Sequence, residues 1–350
     1  MQMILMLIIG ITFSSPSYAN PTLGLPELSI PTNNPQSPEK IELGRLLFND
    51  ARFSGNGTIS CASCHHSDKA FTDGLKTPLG IDRLTGSVNA PTVINSAFYE
   101  TLFVDGRANS LEDQALGPFT NPVEHGLKDY TKIIDIILKD DQYLVMFKQI
   151  FDISAGDISI DYVVKAIASF ERTLVSGNSR FDQYYFGRDR TQLSESAARG
   201  LRIFRRKGNC ANCHEISWNN ALFMDNNFYN IGVGFGKVKD KIDDLLNSIN
   251  ADNKLDLTSA EQVELGRFNV TNVIADIGKF KTPTLRNISL TAPYMHDGSI
   301  KTLEEVVEYY DKGGDQNQYI DAAIFPLKFT EQEKTDLVEF MKALTSSSEQ

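Results

Sequence analysis

The sequence predicts a mainly α protein built from two successive helical units, and three observations carry that prediction. The pentad Cys-x-x-Cys-His occurs twice, as Cys61-Ala62-Ser63-Cys64-His65 and Cys210-Ala211-Asn212-Cys213-His214, with an offset of 149 residues from Cys61 to Cys210 and a similar apolar lead-in before each. Helical spacing of apolar residues recurs along the chain, whereas the alternation expected of strands is scarce. At 350 residues the chain exceeds the roughly 100 to 200 residues of one ordinary domain.

In chain order, Met3 to Phe13 is a short apolar run, and Ser17-Tyr18-Ala19 then has the small-x-small form of a cleavage site. Residues 1–19 therefore read as an export signal, placing the mature chain in the periplasm. A membrane span would need about 20 apolar residues, and no other segment supplies them. The Pro-rich stretch from Pro21 to Pro38 reads as an extended, mobile leader.

The lead-ins Leu43-Gly44-Arg45-Leu46-Leu47-Phe48 and Gly200-Leu201-Arg202-Ile203-Phe204 carry the spacing of short amphipathic helices, which suggests a duplicated unit. From Ile158 to Val175 the apolar positions Val163, Val164, Ile167, Ala168, Phe170 and Leu174 mark another helix, and Ser176-Gly177-Asn178-Ser179 breaks it. The domain boundary is set there, giving an N-terminal unit of residues 20–178 and a C-terminal unit of residues 179–350, whose last helix is free to pack back on the first unit. The charged, aromatic-poor stretch from Lys237 to Asn253 reads as a solvated insertion. Thr302-Leu303-Glu304-Glu305 is a capping box, with Leu303, Val306, Val307 and Tyr310 on one stripe and Gly313-Gly314 ending the helix.

A net charge of -11 argues against nucleic acid or an anionic membrane surface as partner, and suits a basic or neutral protein better. Export would ordinarily turn four cysteines into disulfides, but their spacing says otherwise. In Cys-x-x-Cys-His the two thiols add to the vinyl groups of a haem, and the following His becomes an axial ligand of its iron. A zinc site would draw on both pairs together, and a redox dithiol needs no His. Two covalent haems c follow, held by Cys61, Cys64, Cys210 and Cys213, with His65 and His214 as iron ligands. Only His66, His125 and His296 remain for the opposite faces. His66 directly follows a ligand and reads as a surface or propionate-side residue.

Phe103-Val104-Asp105-Gly106-Arg107-Ala108 is followed by Leu111, Gln114, Pro118 and Asn121-Pro122-Val123-Glu124. Together with Asn89-Ala90-Pro91-Thr92, the run from Phe280 to Asn287, and Thr291-Ala292-Pro293-Tyr294-Met295-His296-Asp297-Gly298, these blocks resemble the bacterial di-haem cytochrome c peroxidase and MauG superfamily. The resemblance spans about residues 38 to 345. It implies two cytochrome c-like domains with haems near their interface and activity on hydrogen peroxide at the haem on His65. It also implies distal-pocket roles for Gln114, Pro118 and Glu124. Chemistry agrees, because splitting the O–O bond needs a group that moves a proton from the inner to the outer oxygen, and Glu124 is the candidate.

In the classical peroxidase branch a histidine in the loop before Asn89 ligates the first haem. Gly80 to Ser87 contains none, so the resemblance implies a site open without reductive activation, as in the MauG-like branch. His125 follows Glu124 and either lines the pocket or lies on the surface. For the second haem, Tyr310 matches the position that is Met in the peroxidase branch and Tyr in the MauG-like branch, with Tyr309 the competing register. A phenolate ligand would lower that haem's potential. A calcium ion between the haems is implied too, with Asn89, Thr291 and Pro293 at its ligand positions, as suits a hard cation.

Two positions depart from the family. Val104 stands where an inter-haem tryptophan is usual, and Gly208 where MauG has the tryptophan that passes oxidising equivalents to its protein substrate; the single tryptophan is Trp218. The expectation is thus a di-haem oxidoreductase that reduces hydrogen peroxide and oxidises an exported protein. The alternatives are an ordinary peroxidase fed by a small cytochrome or copper protein, and a non-catalytic carrier or haem-based sensor.

Overall fold

The computed structural model describes residues 22–250 and 257–346. The expected signal at 1–19 lies outside the described residues, as do residues 251–253 of the expected insertion. Helices dominate: α1 (Pro38–Phe48), α2 (Leu111–Thr120), α3 (Thr131–Lys139), α4 (Asp141–Phe151), α5 (Ile160–Glu171) and α6 (Arg180–Tyr185) are followed by α7 (Glu195–Arg205) and α8 (Ile242–Asn250). Then come α9 (Ser259–Glu264), α10 (Phe268–Thr271), α11 (Leu303–Asp311) and α12 (Glu331–Lys342). Two-residue strands β1 (Phe228–Tyr229) and β2 (Phe280–Lys281) pair antiparallel, Phe228 against Lys281 and Tyr229 against Phe280.

Local chemistry sets the helix starts. The Ser37 hydroxyl accepts from the Lys40 N–H ahead of Pro38 in the first turn of α1, and Ser194 caps α7 in the same way. Thr302 with Glu305 and Thr330 with Glu333 form reciprocal capping boxes at α11 and α12.

The two halves repeat one packing unit. In the first, α1 crosses α5 so closely that a Cβ on Gly44 would lie 1.9 Å from the Ala166 carbonyl oxygen. In the second, α7 crosses α12, and a Cβ on Gly200 would lie 1.9 Å from the Asp336 carbonyl oxygen. Only glycine permits either approach. Phe48 meets Phe170 at 5.3 Å between ring centres in one crossing, and Phe204 meets Phe340 at 5.1 Å in the other. Each crossing anchors its own apolar core, around Leu43, Phe48, Phe147 and Val163 in the first half and around Phe181, Phe204, Phe223 and Phe340 in the second.

Three expectations are corrected. The leader is extended but fixed. The Gly24 carbonyl accepts from the Ala221 N–H and from Arg286, the Leu23 carbonyl accepts from Asn178, and Asn34 is fully buried, donating to Glu112 and to the Lys165 carbonyl. The segment thus straps the second half to the first, because its free backbone carbonyls satisfy buried donors. The charged stretch after Lys237 is not merely solvated. Ile242 and Leu245 of α8 are buried with Phe235, Val238, Leu265, Phe268 and Ile277, while Asp243 and Asp244 face outward. Finally, α12 packs on α7 of its own half, since the Gly200 crossing and the Phe204–Phe340 contact hold it there; beyond it Ser346 reaches Ser176 and Gly177 at the linker.

Candidate active site

Each Cys-x-x-Cys-His forms one tight 3-10 turn, Cys61–Ser63 and Cys210–Asn212, after which the His N–H donates back to the first Cys carbonyl at 3.0 Å for His65 and 2.9 Å for His214. Each imidazole then donates through Nδ1 to a backbone carbonyl, His65 to Phe71 at 3.1 Å and His214 to Phe223 at 2.9 Å. Both acceptor residues adopt left-handed backbone, φ 56° at Phe71 and 55° at Phe223, a costly conformation for a bulky side chain that turns the carbonyl toward the ring. Phe48 and Phe204 lie 6.4 and 6.5 Å from the two imidazoles at nearly equal tilts of 43° and 44°.

With Nδ1 engaged, Nε2 is the nitrogen left for a metal. Burial holds both imidazoles below their usual pKa, so they are neutral, the form that ligates iron. The four thiols are free, and burial raises Cys64 and Cys213 to about 11 and Cys210 to about 12. Paired protonated thiols beside an oriented neutral imidazole are a donor set that fits a haem c in each half. The carbonyls of Phe71 and Phe223 were missed in the sequence, where no side chain announces them.

Ser110 caps α2, which carries Gln114 and Pro118 one turn apart on one face. At the turn that follows, Asn121 donates from Nδ2 to Glu124 Oε1 at 2.6 Å. Burial raises the Glu124 carboxyl above the usual range, against the opposing pull of the Arg107 charge and the Asn121 hydrogen bond. Arg107, quoted in the sequence only as part of a motif, therefore belongs with this group; its guanidinium also lies 3.5 Å over the Phe103 ring. The loop before Asn89 rests on this segment. Ile81 donates its N–H to the Val123 and Glu124 carbonyls, and a Cβ on Gly80 would lie 1.9 Å from the Val123 oxygen. His125 is not a surface residue. It is buried, its Nδ1 donates to the Phe53 carbonyl at 2.9 Å, and its ring meets Phe119 edge-on.

In the second half the two neighbouring tyrosines of α11 part company. Tyr309 donates its hydroxyl to the Ile231 carbonyl at 2.9 Å and accepts from the Asp315 N–H at 3.1 Å. The Tyr310 hydroxyl has no such partner among the described residues; it is held far above the usual phenol range, first by burial and then by the charges of Cys210 and Cys213. Asn89 is tied to the 291–296 loop by its N–H, which donates to the His296 carbonyl at 2.8 Å, and its Nδ2 donates to the Leu75 carbonyl.

Val104 sits at the seam between the halves, where its carbonyl accepts from the Lys281 N–H of β2 at 2.8 Å. The Lys281 ammonium lies 3.4 Å from the Tyr99 ring centre and donates to the Thr101 carbonyl. Gly208 is buried, and a Cβ there would meet the Ile203 carbonyl oxygen at 3.0 Å. Trp218 stands 87% exposed.

Comparison with known proteins follows the same outline. The family model for di-haem cytochrome c peroxidase matches residues 38–190. The cytochrome-c peroxidase IdrP1 of Pseudomonas sp. (strain SCT) is 37% identical over 94% of this chain and 87% of its own length. The methylamine utilization protein MauG of Methylorubrum extorquens is 34% identical over 90% of this chain and 80% of its own. The crystal structure of a MauG-like protein associated with microbial copper homeostasis superposes with a TM-score of 0.78 at 32% identity, covering 97% of both chains.

Proposed function

The chain belongs to the di-haem cytochrome c peroxidase family, a family of oxidoreductases, and from that premise we propose that it reduces hydrogen peroxide in its first half and passes the oxidising equivalents through its second half to an exported protein. When bound, a haem c supplies the iron centre at which the O–O bond is cleaved and two electrons are delivered. The balance is H2O2 + 2 H+ + 2 e- giving 2 H2O.

The residues supply position and protons. His65 and His214 present Nε2 as iron ligands while the Phe71 and Phe223 carbonyls fix their rings. Glu124, whose raised pKa makes its carboxylate a stronger base than an exposed one, takes the proton from the inner peroxide oxygen and returns it to the outer. Gln114 and Pro118 wall the pocket. Tyr310 would hold the second iron through its phenolate. The observation that carries this reading is the split between the tyrosines: Tyr309 spends its hydroxyl on the backbone, while the buried Tyr310 hydroxyl has no hydrogen-bond partner among the described residues and feels the charges of Cys210 and Cys213. A calcium ion at Asn89, Thr291 and Pro293 would tie the two loops that the Asn89 to His296 hydrogen bond already joins.

Val104 and Gly208 support a second reading, an ordinary peroxidase whose protein partner is simply an electron donor, because neither position offers an aromatic relay and Gly208 has little room for one. No described helix is long and apolar enough to cross a membrane. The reading of residues 1–19 as a signal supports a periplasmic setting.

The test mixes holoprotein with hydrogen peroxide and then with a reduced small cytochrome. The expected result is two donor equivalents oxidised per peroxide. Peroxide consumption no faster than that of a free haem peptide would overturn the proposal.

A further inference from the structure

Between residues 180 and 207 the chain carries eight Lys and Arg against three Asp and Glu, although the protein as a whole has a net charge of -11. The fold gathers this excess on one side. Tyr184, Tyr185 and Arg190 come against Arg202, Arg205 and Arg206 of the α7 end, lining a cavity of about 410 Å³. A second recess of about 470 Å³ continues past Arg202 and Arg206 to Lys207. Of the carboxylates nearby, Asp336 pairs with Arg199 and Glu333 with Lys207, Asp189 accepts from Thr191 and Gln192, and Glu195 is exposed in the first turn of α7, so the cations still outnumber the acids. Among the described residues, Arg190, Arg202, Arg205 and Arg206 form no ion pair, and all four are exposed. Two are held ready by stacking, Arg190 at 4.6 Å over Tyr184 and Arg205 at 5.8 Å from the Tyr185 ring.

On its inner side α7 buries Ala197 and Phe204, and Phe204 meets His214 at 6.5 Å, while the buried Leu201 forms the floor of the arginine-lined cavity. Beyond Arg206 the chain needs only four residues to reach Cys210, whose Sγ lies 3.2 Å from the Gly208 carbonyl oxygen. α7 thus joins Arg202, Arg205 and Arg206 to the segment that leads into the second Cys-x-x-Cys-His.

We propose that this arginine cluster is the docking surface for the acidic face of an exported redox protein that exchanges electrons with the second half. The inference rests on the function proposed above. It runs opposite to the net charge, which taken alone favours a basic partner, because recognition depends on the local field and not on the sum over the chain. A long polyanion or an anionic bilayer would meet the negative remainder of the molecule, whereas a small protein can present carboxylates to the patch alone. The cluster spans two recesses, which suits a protein face better than a single small anion.

The experiment uses holoprotein and two reduced probes, a small blue-copper protein with an acidic face and a small cytochrome c with a lysine-rich face. Donor oxidation by peroxide is followed from low salt to about 0.3 M, where surface charges are largely screened. Binding of each oxidised probe is measured separately by calorimetry without peroxide. The acidic probe should bind and lose kcat/KM as salt rises. The combined variant Arg202→Glu, Arg205→Glu, Arg206→Glu should lower its kcat/KM by about 10-fold or more, the scale of electrostatic steering. The corresponding Gln variant, which keeps the side chains polar without reversing charge, should give a smaller loss in the same direction.

The donor-free reaction of peroxide with the holoprotein should be unchanged in both variants. If that reaction is absent in the wild type, the proposed function fails, while calorimetry still reports on docking. Preference for the basic probe, an acidic probe indifferent to the substitutions, or displacement by millimolar inorganic phosphate at constant ionic strength would each overturn the docking proposal.

Discussion

The Lys281 ammonium lies 3.4 Å from the centre of the Tyr99 ring at the seam between the two halves, and the same lysine donates its backbone N–H to Val104. Burial pulls its pKa down from 10.5 to about 7, with the Asp105 charge opposing. The Tyr99 hydroxyl, which accepts from the Thr284 N–H at 2.7 Å, is raised by burial to about 12. This lysine is the most strongly perturbed cation at the seam, and it has consequences for stability.

Between about pH 7 and 10.5 the unfolded chain keeps a proton on Lys281 that the folded chain has released, so Lys281 makes stability rise with pH across that window. Lys281→Met should remove this part of the slope, which for one proton cannot exceed about 1.4 kcal/mol per pH unit. Denaturant unfolding of both holoproteins at several pH values checks it. Parallel curves would show that Lys281 keeps an ordinary pKa in the fold.

Glu124→Gln should keep both haems attached and preserve the contact with Asn121, yet slow the reaction with peroxide by about 100-fold or more, the range for losing a general acid-base group. Stopped-flow mixing decides it. A rate equal to wild type would return Glu124 to a structural role.

The loop from Gly80 to Ser87 offers no histidine, and Ile81 pins it to the Val123 and Glu124 carbonyls. The ferric holoprotein should therefore show mixed spin at neutral pH without added reductant, read by absorption and electron paramagnetic resonance. A purely low-spin spectrum would contradict this.

Tyr310→Met should raise the potential of the second haem markedly, because a thioether favours ferrous iron where an anionic oxygen does not. Tyr309→Phe is the control. It should leave that potential alone while costing about 1 to 2 kcal/mol for the hydrogen bonds to Ile231 and Asp315. Potentiometric titration and thermal melts separate the two, and coincident low-spin potentials for wild type and Tyr310→Met would make Tyr310 a core residue.

Arg286 grips Asp182 through two hydrogen bonds of 2.8 and 2.9 Å with both side chains essentially buried, and it also donates to the Gly24 carbonyl of the leader. Arg286→Met leaves the buried Asp182 carboxylate without its cation, with only the Ser179 hydrogen bonds, and frees the strap, so it should cost about 3 to 5 kcal/mol. Adding Asp182→Leu should recover part of that loss. Chemical denaturation of the three proteins measures it, and a loss under 1 kcal/mol for Arg286→Met would mean the carboxylate finds another partner.

The sequence by itself determined what is local. The two Cys-x-x-Cys-His pentads are complete within five residues each, so their geometry follows from one turn of backbone. The Thr302 capping box and the Gly44 and Gly200 lead-ins were legible for the same reason, since a helix start depends on neighbours three residues away. Periodicity also put Tyr310 on the inward stripe of α11 but could not say what Tyr309 did, because its partners, Ile231 and Asp315, arrive from other segments.

What only the tertiary structure decided are the relationships that span the chain. The leader is fixed because Arg286 lies 262 residues from Gly24, and no local pattern reports such a bond. The stretch after Lys237 looked solvated because its charges outnumber its apolar residues, yet Ile242 and Leu245 fall one turn apart and find Leu265 and Ile277. His125 turned inward because the Phe53 carbonyl was waiting for its Nδ1. The arginine surface emerged only when folding paired Arg199 and Lys207 with α12 and left their neighbours to solvent, since an ion pair is a property of distance and the sequence records only sign.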